Sequence, residues 1–263
     1  MSLSVMAYRR LEEEKEIISL FYDELISDLI KNHSAEENQI EQAIEVLVFN
    51  YSQMRFGRTP YGCDYNNIYH CIGYLHRYGS SHSRMVFEIM HEVWRLPLND
   101  IIYMRVKQNL NVTFIGSGPG NDFVGFLSAM HGMCGFILNV NVMCVERMSG
   151  WENVFSATIE KLAKGNSGYA GNVYKRLKIK SSFLKCDITD ISGLEQNLKQ
   201  TLAATDMLFI VKVFSTIPDE KKLRTLTRRG ELMAKSLLET TTTTPRHIPV
   251  PRAEITPDQL EWM

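Results

Sequence analysis

The stretch Val112-Thr113-Phe114-Ile115-Gly116-Ser117-Gly118-Pro119-Gly120-Asn121-Asp122-Phe123 decides the reading of this chain. Val112 to Ile115 is a short β-branched and aromatic run, the composition of a buried strand. Three alternating glycines follow, at Gly116, Gly118 and Gly120. They let the backbone turn sharply and approach a ligand without Cβ interference, beneath the amino terminus of the helix expected next. A glycine-rich turn alone is a weak signal, and its position after the first strand of an α/β pattern strengthens it.

Working toward the carboxyl terminus, further apolar runs occur at Val140 to Val145, Ser182 to Lys185 and Met207 to Val213, separated by helical stretches. Such alternation predicts a mostly parallel sheet with crossover helices, a Rossmann-like α/β fold. Pro218 to Leu238 reads as a helix through Leu223, Leu226, Leu232, Ala234 and Leu237. The threonine run and the prolines beyond it predict a disordered tail over 239–263.

Toward the amino terminus the pattern is helical. Leu11, Ile18, Tyr22, Leu25 and Leu29 fall on one helix face, and Ser34 with Glu37 has the form of a capping box before a second helix. The loop Gly57 to Gly62, with Pro60, precedes a third helix through Tyr65, Ile68, Ile72 and Leu75 and a fourth through Val86, Ile89, Met90 and Val93. The expected organisation is a helical region over 1–109, a Rossmann-like domain over 110–238 and the tail.

Residues 1–50 carry eleven acidic and four basic side chains, which leaves nineteen acidic and twenty-five basic in the remainder. That mildly basic body can meet an anionic substrate, but it is far weaker than the patch of a dedicated nucleic-acid binder. The five cysteines are scattered, with no C-x-x-C pair, which argues against a disulfide framework and a zinc site and for a reducing compartment. Arg9, Arg10 and a run of glutamates stand where a signal peptide would need an apolar core, and no apolar run approaches a membrane span. A soluble protein of cytoplasm or nucleus is expected, without membrane or metal.

Two nucleotide classes compete for the glycine loop. The dinucleotide fingerprint wants G-x-G-x-x-G and an acid about twenty residues on. Here Asn121 stands where the third dinucleotide glycine belongs, and the acid at the second strand end, Glu146, lies thirty residues beyond Gly116.

From Gly116 to Asp187 the chain instead resembles the class I S-adenosylmethionine-dependent methyltransferases, with a G-x-G-x-G loop and an acid ending the second strand. The resemblance covers about residues 110 to 220. It implies S-adenosylmethionine as cofactor, held by Gly116, Ser117, Gly118, Pro119 and Gly120. Glu146, followed by Arg147, would hold the ribose hydroxyls, and Asp187, followed by Ile188, would lie near the adenine. The family often has an acid two places before the first glycine, where this chain has Phe114; Asp122 is therefore assigned to the methionine end. Lys212, in Val211-Lys212-Val213-Phe214-Ser215, is the candidate for lining the acceptor pocket, against a reading as a solvent-facing lysine. The family's sheet has seven strands and only four are legible here. The resemblance thus implies a truncated or alternatively spliced form, poorly soluble or weakly active, with an open apolar edge at its fourth strand.

Other constellations carry less. His70 with His76, and His82 with His91, are spaced so that neither pair shares a helix face, which disfavours a metal site. Glu88 and His91 form a single E-x-x-H, and Glu88 reads as surface. The stretch Tyr174 to Lys180 is a solvated loop or a phosphate contact. Tyr61, Tyr65, Tyr69, Tyr74 and Tyr78 are read as core packing or as an acceptor pocket. Trp151 either packs a helix on the sheet or covers the adenine or ribose. The leading expectation is methyl transfer to an unidentified acceptor, whether small molecule, protein or RNA. A non-catalytic S-adenosylmethionine-binding or regulatory protein and, more weakly, a nicotinamide-dependent oxidoreductase remain open.

Overall fold

Strand β1 (Asn109–Ile115), the run that ends in the glycine loop, lies inside a four-stranded, all-parallel sheet of order β3-β2-β1-β4. Its neighbours are β2 (Asn139–Glu146) and β4 (Met207–Ile210), and β3 (Lys178–Lys185) lies beyond β2. The computed structural model describes residues 3–53, 63–188 and 196–211. These residues fall within one compact unit, Met1–Thr225.

The crossovers explain the strand order. Helix α6 (Asn121–Met130) connects β1 to β2, and helices α7 (Gly150–Lys164) and α8 (Gly168–Arg176) connect β2 to β3, all packing into one core on one face of the sheet. Helix α9 (Gln196–Ala203) precedes β4, and its Leu198 and Leu202 cover the opposite face with Ile115, Val145, Leu208 and Ile210. Alternate strand residues serve the two cores, as the pleat requires: Phe114 and Cys144 face α6, while Ile115 and Val145 face α9. A chain that moves outward from β1 to β3 and then returns to β4 on the other side of β1 must reverse direction there. In open α/β sheets ligands bind outside the strands' carboxyl ends at such a reversal.

The amino-terminal helices are α1 (Leu3–His33), α2 (Glu37–Gln53), α3 (Ile68–Tyr74), α4 (Ser80–Val93) and α5 (Asn99–Val106). They share the α6-side core, where Tyr22, Leu25, Phe87 and Trp94 join Phe114, Phe123 and Phe126. All ten residues of α6 are buried, since it is enclosed between the sheet and α4. Its lack of a polar face follows. Glu14 reaches from α1 into this core, where its carboxylate accepts from the Ser128 hydroxyl at 3.0 Å and from the Tyr169 N–H at 2.9 Å, at the start of α8. At the other edge Asp206 pairs with Lys107 and accepts from the Asn111 N–H at 2.9 Å, clamping the start of β4 to β1.

Several expectations are corrected. Ser34 does not open the second helix; it ends the first, in the left-handed region at φ 49°, with the Ala35 N–H on the Ile30 carbonyl and the Ser34 N–H on that of Lys31. The expected third and fourth helices join into one rod through a π-helical turn at Leu75–Gly79. Helix α5, with too little amphipathic periodicity to stand out, was not expected. Tyr174 to Lys180 is no loop: Tyr174 to Arg176 end α8, and β3 begins at Lys178. Exposed Glu88 forms an ion pair with Lys15. The loop Gly57 to Gly62, Lys212, the helix from Pro218 and the tail lie outside the described residues. No helix among the described residues is long and apolar enough to cross a membrane.

Candidate functional site

The glycine loop sits at the carboxyl end of β1, where the strand order reverses. Gly116, Gly118 and Gly120 have φ values of 66°, 50° and 89°, so each adopts a left-handed backbone that a side chain would strain. Hydrogen bonds fix this path. The Gly116 N–H donates to the Val145 carbonyl at 2.8 Å, the Gly120 N–H to Ser117 at 2.9 Å, and the Gly118 N–H to the Glu146 carboxylate at 3.2 Å. A Cβ on Gly120 would stand 2.8 Å from the Phe155 ring, and one on Gly118 would meet the Trp151 indole at 3.6 Å. Gly118 is therefore required by its backbone conformation more than by lack of room.

Gly120 precedes the first turn of α6 and supplies no side-chain cap. The leading N–H groups of that helix thus emerge at the glycine loop, with the positive end of its dipole behind them. Asn121 and Ser117 are 2% and 3% exposed; Asn121 Oδ1 has no hydrogen-bond partner among the described residues, while Ser117 Oγ lies against the Cys144 thiol. A buried polar atom without a partner is rare in folded proteins, and a ligand would supply one.

Glu146 ends β2 beside the loop. Its two oxygens accept from the Gly118 N–H and, at 2.7 Å, from the Arg147 N–H. An ionised carboxylate has about four acceptor sites, and beside these N–H groups and that of Met148 capacity remains for a ligand hydroxyl. Burial pushes its pKa upward, against the pull of those N–H groups. The Arg147 side chain is exposed, so its contribution here is its backbone. Pro119 is buried, and its carbonyl accepts from Thr158 at 2.9 Å.

Asp122 is 5% exposed, in the first turn of α6. Burial raises its pKa to about 7, and no hydrogen bond or cation offsets that shift. Its charge reaches the hydroxyls of Tyr22 and Tyr74 and the thiol of Cys144. Asp187 and Ile188 follow β3 on the same sheet edge, one strand beyond Glu146. Asp187 is half-buried, whereas Ile188 packs into the α9-side core. The sheet edge thus assembles the loop, Glu146 and Asp122 closely, with Asp187 alongside; Lys212 is not among the described residues.

A wall of aromatic rings faces the loop. Trp151, in the first turn of α7, has Tyr65 at 4.5 Å and Tyr74 at 5.2 Å between ring centroids. Tyr65 is held by backbone contacts with the β2–α7 turn: its N–H meets Met148 Sδ at 3.3 Å, and Asn66 Oδ1 accepts from the Gly150 N–H at 3.2 Å. Tyr74 continues the wall to Tyr78 and bonds His82 Nδ1 at 3.1 Å, while Tyr51 bonds Tyr65 through their hydroxyls at 3.0 Å. Tyr69 packs against the core, and Tyr61 lies outside the described residues. Tyr51, His82 and Cys144 were not read as neighbours of the loop in the sequence, for no local pattern connects them with a loop tens of residues away. Among the described residues no three His, Cys, Asp or Glu side chains come together to hold a metal.

Comparison with known proteins brings no match, whether to a family model, to a curated protein or to a solved structure.

Proposed function

We propose that this chain binds S-adenosylmethionine at the glycine loop and transfers its methyl group to an acceptor. The observation that carries the reading is the Gly118 N–H to Glu146 bond at 3.2 Å, which joins the glycine turn after β1 to the acid after β2 at the switch of strand direction. The residues fit such a cofactor on chemical grounds. Glu146 retains acceptor capacity for a ribose hydroxyl, the uncapped start of α6 suits the methionine carboxylate, and the unpartnered Asp122 suits the methionine ammonium. Asp187 and Ile188, beside Glu146 on the sheet edge, would border the adenine, and Trp151 over Gly118 would close the nucleoside side.

S-adenosylmethionine supplies a methyl group already activated by its sulfonium, so the protein's task is alignment of the acceptor and exclusion of water. In this reading α6 and Glu146 fix the cofactor, and the aromatic wall shields the reacting end. The acceptor would enter at the carboxyl end of the sheet, with Lys212 as the sequence candidate for its pocket. The same pocket without transfer would make a binding or regulatory protein. Incubation of the purified chain with methyl-labelled S-adenosylmethionine and fractionated cell extract separates the two. Label incorporated into an acceptor fraction, and lost with Glu146→Ala, is expected. Binding without incorporation into any fraction would overturn the transferase reading and leave the binding protein.

A further inference from the structure

Helix α5 turns its apolar residues outward. Leu98, Ile102 and Val106 fall at i, i+4 spacing on one face and are each about half exposed, with Tyr103 beside them at 62%, whereas Ile101 is the buried residue of the helix. Phe136, 70% exposed, and Leu138 extend the patch from the segment before β2. The Phe136 N–H donates to the Arg105 carbonyl and the Leu138 N–H to the Gln108 carbonyl, both at 2.9 Å, so the two segments are fixed side by side. Gly135, at φ 54°, permits this approach, because a Cβ there would run into the Arg105 carbonyl. A contiguous apolar surface held open to water in this way marks an interaction site.

Cations border the patch. The Lys178 N–H bonds the Leu138 carbonyl at 2.9 Å, Arg105 lies on α5, and Arg176 ends α8 two residues before Lys178. Ion pairs among the described residues involve none of these three, and the single acid of α5, Asp100, stands at its opposite end. The complementary surface is on α2. Its Glu37, Glu41 and Glu45 repeat at i, i+4 spacing, all exposed, and the helix has no basic residue to relieve them. The same stripe continues to Phe49, 64% exposed, with Val46 and Val48 at its sides. Like charges at that spacing destabilise a helix, and cations from outside would offset the repulsion.

We propose that this chain associates head to tail with a second copy of itself, the acidic and apolar face of α2 in one copy covering the basic and apolar face of α5 and Phe136 in the next. Both faces are exposed on one folded unit, so within a single copy they do not meet. Pairing either face with its own kind would bring like charges together, which disfavours a two-fold interface and favours a heterologous one. Apolar burial supplies the attraction, and the opposite charges set the register. The inference stands apart from the S-adenosylmethionine reading: the α5 patch lies at the amino end of the sheet and the glycine loop at the carboxyl end, so either can fail alone.

Sedimentation velocity of the full chain over a range of micromolar concentrations provides the test. Oligomers whose fraction rises with concentration and falls with added salt are expected. Phe49→Glu, which spoils the α2 face, and Phe136→Glu, which spoils the other, should each weaken association at least about tenfold. An equimolar mixture of the two variants should restore a dimer and stop there, because each keeps the face that the other lacks and the two altered faces would set glutamate against glutamate. Both positions are exposed, cooperative urea unfolding shows that each variant is folded, and Tyr103→Glu gives a second lesion of the α5 face. A native chain that stays monomeric throughout would overturn the inference, and so would a mixture that remains monomeric. A monomeric chain that floats with phosphatidylserine vesicles, and loses them with Phe136→Glu, would overturn it by assigning the patch to an anionic membrane surface.

Discussion

Glu146 does two things at once, ending β2 and holding the glycine loop by the Gly118 N–H, so its removal disturbs the pocket from both sides. Glu146→Ala should weaken S-adenosylmethionine binding by about 1.5 to 3 kcal/mol, the range for hydrogen bonds to a charged group. Gly118→Val should abolish it by a different route. At φ 50° a β-branched residue is strained, and its branch would press on the Trp151 indole. Calorimetry on both variants, each first shown to unfold cooperatively, checks this. Normal affinity in both would place the pocket elsewhere. The position of the glycine loop after β1, of Glu146 at the end of β2 and of Asp122 at the start of α6 was legible in sequence because local pattern fixes each. The burial of Asp122 within electrostatic reach of Tyr22 and Tyr74 was not legible, because those residues come from helices far back in the chain.

Among the elements, α6 was the easiest to anticipate as following the loop and the hardest to place, since its burial on every side depends on α4. Gly125 is where the two helices come closest. An added Cβ there would run into the Ser83 carbonyl and stand 2.9 Å from Val86 Cβ. Gly125→Ala should therefore lower stability by about 1 to 3 kcal/mol despite the better helix propensity of alanine, because the helices must part. An unchanged urea midpoint would show that α4 can shift without cost. The π-helical turn has the opposite history. Helical spacing was plain up to Leu75 and again from Val86, and the interval between them read as a gap between two helices. Strand ends were underestimated for a related reason. Asn109, Asn139 and Lys178 are polar, yet they extend the parallel ladder in register, and the Asn139 side chain bonds that of Asn109 at 2.8 Å.

At the scale of the whole molecule, the shared core carries two acids whose folded pKa values are raised. Burial lifts Glu14 to about 7 despite the Ser128 hydroxyl and the Tyr169 and Ala170 N–H groups that pull it down, and burial lifts Asp122 to about 7 as well. The folded state then holds protons that the unfolded state has released. Stability contributed by these groups is full below the ordinary carboxylate range and is lost as pH rises through 7. The chain should be more stable at pH 5 than at pH 8. Glu14→Gln, which keeps an acceptor for Ser128 and Tyr169, should remove about 2 kcal/mol of that difference. Urea unfolding of both proteins across this range is the check; stability rising with pH would reverse the account. The parallel sheet and the helical region were both legible at this scale, because alternation and periodicity are local. That the two share one core was not, since nothing local records which helix covers which strand. The central claim is that the loop and Glu146 form a site for S-adenosylmethionine, and titration of the folded chain with it and with NAD tests that claim most directly. Saturable binding of S-adenosylmethionine with no heat from NAD is the predicted result, and tight NAD binding with no response to S-adenosylmethionine would contradict it.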